Sequence, residues 1–485
     1  MTLLEELEAG GGTHLYIDGA WRESSDGESF EVLDPATEAP LATMSSGSVD
    51  DALAAVAAAS EAGPGFAALS PIERSEILRR AWELMVARAD AIADLIVAEM
   101  GKALPEAKAE VAYAAEFFRW FSGEAVRNKG YLGLAPAGDK RIIAIHQPIG
   151  VSLLITPWNF PAAMATRKIA PAIAAGCTMI LKPASDTPLT AAAIAALLAE
   201  AGLPPGVLNV LPSRRSGAVV SAMLEDERVV NLSFTGSTEV GRTLLEKAAS
   251  RIVRCSMELG GNAPFVVFDD ADLDEAVAGA MVAKMRNGGQ SCIAANRIYV
   301  QAGVAAEFTD RLAAAMGSMT VGPGSQAGVD LGPVINGQAV ADLTGFVDAS
   351  TSHGSELRVG GRRPDRAGFF FEPTLLTGVR PSDPILGQEV FGPVAPVVTF
   401  EDDEEAVELA NGTIYGLAAY VYSSDLARAM RAAEAIDAGM IGVNRGVMSD
   451  PAAPFGGMKQ SGQGREGSHE GLMEFLETKY IAADW

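Results

Sequence analysis

An α/β fold built on a parallel sheet is predicted by a regular alternation that begins near residue 150. Short segments rich in β-branched and aliphatic residues, at 151–156, 178–182, 207–211 and 229–235, are separated by alanine-rich helical stretches such as 187–202. Strand, helix and strand in that order form the βαβ unit, which pairs its strands in parallel and covers the sheet with helices. A second α/β pattern runs from Ala263 to about Ala453. With 485 residues the chain is also longer than one ordinary core, so more than one domain is expected.

The elements can be justified in order. Two long helical patterns precede the alternation. Ser70-Pro71-Ile72-Glu73 has a side-chain cap, a proline in the first turn and a glutamate three places after the cap, so a helix should start there and run towards Met100. After Gly123 the segments become short and mixed, and the β-branched run 141–146 predicts a strand. In the parallel sheet, ligands bind beyond the carboxyl ends of the strands. Polar clusters fall there: Thr156-Pro157-Trp158-Asn159, Lys182-Pro183-Ala184-Ser185 and Thr235-Gly236-Ser237-Thr238. The last of these opens a helix over 239–249, whose free N–H groups suit a phosphate. No G-x-G-x-x-G fingerprint follows any of these strands, so position alone marks a nucleotide site.

Composition narrows the function. The chain is 48% hydrophobic, and its 51 glycines and 26 prolines form no low-complexity tract. Its 62 acidic residues exceed the 37 basic ones by 25, a balance that repels phosphate backbones and argues against nucleic acid as a partner. The first 12 residues do not read as a secretory signal, and no apolar run approaches a membrane span, so a cytoplasmic enzyme is expected. The three cysteines, Cys177, Cys255 and Cys292, and the four scattered histidines show no metal or disulfide spacing. No metal site is expected.

Cys292 lies in Asn287-Gly288-Gly289-Gln290-Ser291-Cys292, and Glu258 in Met257-Glu258-Leu259-Gly260-Gly261-Asn262. A lone cysteine is ordinarily a small buried hydrophobe. Here glycines beside both residues let the backbone approach a reacting group, which a core strand does not need. A thiolate attacks an electrophilic carbon, and the covalent intermediate is then released by a water that something deprotonates. Cys292 and Glu258 fit the nucleophile and the base.

The order of motifs resembles the aldehyde dehydrogenase superfamily over nearly the whole length. It is carried by Thr156-Pro157-Trp158-Asn159-Phe160-Pro161, Lys182-Pro183-Ala184, Phe234-Thr235-Gly236-Ser237, Met257-Glu258-Leu259-Gly260-Gly261, Gly289-Gln290-Ser291-Cys292, Glu389-Val390-Phe391-Gly392-Pro393 and Pro454-Phe455-Gly456-Gly457. The resemblance implies a Rossmann-type cofactor domain (1–123 and 149–258), an α/β catalytic domain (259–455) and a small β flap (124–148 and 470–485) that joins subunits into dimers or tetramers. Within the superfamily, 163–168, 284–287, 447–449 and 464–468 are similar to bacterial succinate-semialdehyde dehydrogenases.

That likeness implies roles position by position. Cys292 is the nucleophile, Glu258 the base and Asn159 the oxyanion donor. Arg167, Arg286 and Ser449 would hold a distal carboxylate, for which a fork of fixed donors suits better than one ammonium. Lys182 and Ser185 would meet the adenosine ribose, Gly236 and Ser237 the pyrophosphate, and Trp158 the cofactor's flank. Glu389 would meet the nicotinamide ribose, while Thr156 and Leu259 complete the cofactor set. Ser185, where NAD-preferring relatives commonly have glutamate, favours NADP, with NAD the alternative. Asp186 is expected to face solvent or to cap the helix beginning near Thr187.

Two departures stand out. Arg445 occupies a place near the substrate mouth where a smaller or acidic residue is expected, and Ala294 removes the second cysteine of a Cys-x-Cys pair. Other readings fit less well. A CoA-acylating enzyme has no use for Glu258, a quaternary ammonium substrate is repelled by two arginines, and a non-enzymatic scaffold has no reason to retain Cys292, Asn159 and Glu258 together. Glutarate semialdehyde and neutral aliphatic or aromatic aldehydes remain as alternative substrates.

Overall fold

The computed structural model describes residues 2–484. Two large sheets organise it. In the first, five parallel strands stand in the order Arg254–Glu258, Val229–Thr235, Val151–Ile155, Met179–Lys182 and Leu208–Val210. Antiparallel strands close both edges: Gly462–Gln463 beside Arg254–Glu258, and Leu15–Ile17 with Ala20–Arg22 beside Leu208–Val210. Residues 456–469, which the sequence reading left outside any domain, thus return to this sheet next to Glu258. The strands Val151–Ile155 and Met179–Lys182 are buried along their whole length, as continuous apolar runs covered by helices on both faces should be.

The second sheet has seven strands in the order Glu356–Val359, Thr374–Thr377, Val394–Phe400, Ala295–Gln301, Ala263–Val267, Ala418–Tyr422 and Met440–Val443. All neighbours pair in parallel except the first two. A third sheet, antiparallel, joins Tyr131–Leu134 and Leu476–Ala483 to the central Arg141–Pro148. Tyr131, Leu132, Leu134, Tyr480 and Ile481 on it are exposed, an unusual apolar cluster for a surface. Among the described residues no single helix is long and apolar enough to cross a membrane.

One helix expectation is corrected, and the alternatives for Asp186 are narrowed. Ser70 and Glu73 do form the reciprocal cap, but the helix ends at Ala87 and a second one runs Ala89–Met100. Arg88 leaves helical geometry at φ −109°, ψ 17° and pairs with Glu200. Helices on both sides of the break pack against Leu189–Glu200. Asp186 caps nothing: the helix starts at Leu189 after Pro188, without a local side-chain cap. The buried Glu99 carboxylate accepts from the Leu189 and Thr190 N–H groups instead, so a distant helix satisfies that terminus.

Candidate active site

Glu258 is the last residue of its strand, and Cys292 lies in the turn just before the strand Ala295–Gln301 of the second sheet. The two sheets meet through this pair of segments. A side chain on Gly261 would strike the Cys292 carbonyl, its Cβ 2.0 Å from that oxygen, so only glycine permits the approach. The nucleophile loop is shaped by three consecutive left-handed residues, Asn287 (φ 55°), Gly288 (φ 61°) and Gly289 (φ 74°). At Gly289 a Cβ would lie 2.1 Å from the Gly392 carbonyl oxygen, which fixes glycine there too.

Asn159 is cross-braced to this loop. Its Nδ2 donates to the Gln290 carbonyl at 3.0 Å, and Asn287 Nδ2 donates to both the Asn159 and Gln290 carbonyls at 2.9 and 3.1 Å. The Asn159 carbonyl also accepts from Lys102 Nζ at 2.8 Å, and Lys102 is held by Glu110 in a buried ion pair. Glu110 accepts from the Ala162 N–H, at the start of the helix Pro161–Ala175, and Glu106 accepts from the Asn287 N–H at 2.6 Å. One helix, Leu104–Ala125, thereby anchors both walls of the cleft. One hydrogen of the Asn159 amide and the Cys292 backbone N–H have no acceptor among the described hydrogen bonds.

Charge is concentrated around Glu258. Neither of its buried oxygens has a hydrogen-bond partner. Burial and the nearby Glu466 carboxylate push its pKa well above the usual carboxylate range, against the pull of Arg167, Lys168 and Arg465. Glu466 holds Lys168 Nζ at 2.6 Å and Arg167 Nη1 at 3.3 Å. Burial, then the Glu389 and Glu258 carboxylates, pushes the Cys292 thiol up to about 12, with Arg167 opposing.

The three residues expected to grip a carboxylate are placed differently from one another. Arg167 is 1% exposed, donates to the Tyr113 hydroxyl at 2.7 Å and lies 4.1 Å from the Phe455 ring centroid. Arg286 is half-buried over the Phe160 ring and forms no ion pair among the described residues. Ser449 is half-buried in the segment after Met440–Val443, and none of the described hydrogen bonds joins it to either arginine. Arg445 is exposed and folded onto the Val447 carbonyl.

The expected cofactor residues line the carboxyl ends of the first sheet. Thr156 follows the strand Val151–Ile155, and the buried Lys182 ends the adjacent strand Met179–Lys182. Burial pulls the Lys182 ammonium down to about 8, and its only described acceptor is the Pro183 carbonyl. Ser237 caps the helix Thr238–Ala249 by accepting from the Val240 N–H. The Gly236 and Leu259 N–H groups are engaged by the Glu258 and Ser461 carbonyls. What the turn offers an anion is thus the first-turn N–H groups of that helix. Trp158 stacks edge-on against Phe391 at 5.4 Å. Glu389, raised to about 7 by burial, accepts from the Gly261 N–H and keeps one oxygen towards Gly260. Free donors at one end, an anion-seeking helix terminus in the middle and a carboxylate at the other end fit a dinucleotide.

A two-sheet α/β protein with a cysteine and a glutamate facing one cleft is the class that this arrangement defines. Comparison gives the family: the aldehyde dehydrogenase family profile matches residues 21–481, and the chain belongs to that family. It is 53% identical over 441 residues to the succinate-semialdehyde dehydrogenase of Paenarthrobacter nicotinovorans, covering 91% of this chain and 98% of that protein. It is 48% identical over 466 residues to a glutarate-semialdehyde dehydrogenase of Pseudomonas putida, with 96% of each covered. A crystal structure described as an E. coli NADP-dependent enzyme superposes with a TM-score of 0.96 at 46% identity, covering 98% of both chains.

Proposed function

We propose that this chain oxidises succinate semialdehyde to succinate with NADP, NAD being the weaker alternative. The observation that carries the substrate is Arg286, six residues before Cys292, a cation in no described ion pair, with the buried Glu106, engaged by the Asn287 N–H, as the carboxyl that feels its charge. Arg167 supplies the second cation and Ser449 a hydroxyl. The named activities of the similar proteins support the same substrate class. Succinate and glutarate semialdehydes differ by one methylene, worth about 1 to 3 kcal/mol in a pocket, so the longer substrate is the second reading.

In the mechanism, the Cys292 proton passes to a base and the thiolate adds to the aldehyde carbon. The free Asn159 amide hydrogen and the Cys292 N–H receive the oxyanion, where one such donor is typically worth about 10² to 10³ in rate. NADP held by the residues below would supply the hydride acceptor that the oxidation to a Cys292 thioester requires. Glu258 then takes a proton from water, which attacks the resulting Cys292 thioester and releases the acid and the thiol. Lys182, the Thr238–Ala249 helix start and Glu389 hold the dinucleotide along its length, with Ser185 at the adenosine ribose bracing the turn after Lys182. Residues 1–123 and 149–258 serve as the cofactor domain and 259–455 as the catalytic domain. The antiparallel sheet within 124–148 and 470–485 joins subunits into a homodimer or homotetramer, supported by its exposed apolar face. Met1 and Trp485 lie outside the described residues.

A panel of aldehydes assayed with both nicotinamide cofactors tests the reading. Succinate semialdehyde with NADP should give the highest kcat/KM. A neutral aldehyde such as butanal performing equally well would overturn the carboxylate grip.

A further inference from the structure

We propose that Arg214, together with Lys182, seats the 2′-phosphate of NADP and sets the preference over NAD; this rests on the cofactor reading above. Two turns meet beyond the strand Met179–Lys182. Ser185 Oγ donates to the Ser213 carbonyl at 2.9 Å, which bolts the turn after Lys182 to the turn carrying Arg214. That second turn is fixed on its other side, Ser213 Oγ donating to the Gly47 carbonyl at 2.8 Å and the Arg214 N–H to Ser46 Oγ at 3.2 Å. The hydroxyl hydrogen of Ser185 is thus engaged. Ser185 provides room and a brace, and the positive charge has to come from elsewhere.

Two arginines leave the braced turn and are used differently. Arg215 is neutralised by Asp26 at 2.5 Å and donates to the Ser46 carbonyl. Arg214 forms no ion pair among the described residues; its guanidinium lies 5.2 Å from the Phe30 ring centroid and is exposed. It is close enough to Lys182 to oppose that ammonium's charge, while Asp186 is the carboxylate that favours it. The two cations thus stand on turns that are bolted together, with Asp186 as the carboxylate that favours the Lys182 charge. A planar fork beside an ammonium suits a phosphate dianion, and the aromatic face holds the fork in place.

The test is calorimetric binding of 2′,5′-ADP and 5′-AMP to the full-length protein without substrate. The parent should bind 2′,5′-ADP more tightly. Arg214→Met, which keeps the stem over Phe30, should weaken 2′,5′-ADP by about tenfold or more and leave 5′-AMP within about twofold, since one charge-assisted bond is lost. Arg214→Lys should recover part of the loss, and Arg215→Met should change neither ligand. A discriminating parent with an unaltered Arg214→Met overturns the role of Arg214 alone. A parent that binds both ligands equally overturns the NADP reading itself.

Discussion

Glu258 and Cys292 face one cleft, yet the first ends a regular parallel strand and the second rides on a loop with three successive left-handed residues. On the Glu258 wall the backbone is ordinary and the chemistry is set by side chains from far along the chain: Lys168, Arg167 and Glu466. On the Cys292 wall the backbone itself is unusual, and two amides do the positioning: Asn287 from within the loop and Asn159 from 131 residues before the Gln290 carbonyl that it meets. A base needs a tuned proton affinity, which buried charges supply. A nucleophile and its oxyanion donors need fixed directions, which a braced loop supplies.

The largest effect should come from the nucleophile wall. Cys292→Ala should reduce turnover to background while cofactor binding, followed by fluorescence quenching, stays near the parent's. Substantial residual activity would remove the covalent step. On the other wall, Glu258→Gln should permit one rapid hydride transfer per site and then stall at the thioester, seen as a burst of reduced nicotinamide without a steady phase. In the parent, deacylation should rise with pH and level off above the raised pKa of Glu258, because only its deprotonated form takes the water's proton. A steady rate in Glu258→Gln equal to the parent's would assign the base elsewhere.

How much of each wall the sequence disclosed follows from the same contrast. The nucleophile loop was legible because its demands are local: glycines at 288 and 289 beside a cysteine announce positive φ and close approach. The parallel strands were legible from their apolar runs. Glu466 lies 298 residues from Lys168, and Lys102 lies 57 residues from the carbonyl that it holds, so nothing in local pattern connects them. The family likeness covers 163–168 and 464–468 but assigns neither Lys168 nor Glu466 a role. Arg88 breaks an otherwise continuous helical pattern at the point where its side chain reaches Glu200, 112 residues on. Capping was one of two roles open to Asp186, and the group that fills it, Glu99, arrives from a separate helix.

The arginines sharpen the comparison, since one belongs to each wall. Either Arg167→Ala or Arg286→Ala should raise KM for succinate semialdehyde by about tenfold or more, and KM for butanal far less, because only the former loses a charge-assisted pair. Equal losses for both aldehydes would break the grip. The variants should differ in pH behaviour. Arg167 is among the cations that lower the pKa of Glu258, so Arg167→Ala should move the deacylation profile to higher pH. Arg286 is not among them, and Arg286→Ala should leave the profile in place. Identical profiles would show that the two walls are not electrostatically distinct.

The smallest effect is expected at Tyr113, whose hydroxyl accepts from Arg167 Nη2 at 2.7 Å. Tyr113→Phe removes one of several tethers, leaving the Glu466 ion pair and the Phe455 ring to hold the guanidinium. A single hydrogen bond typically contributes about 0.5 to 1.5 kcal/mol net, so KM for succinate semialdehyde should rise by less than about tenfold. The kcat value and the deacylation pH profile should stay close to the parent's, since Glu466 keeps both its cations. A fall in kcat comparable to that of Glu258→Gln would mean that Arg167 relies on Tyr113 rather than Glu466, and that this wall is positioned by hydrogen bonds in the same way as the nucleophile loop.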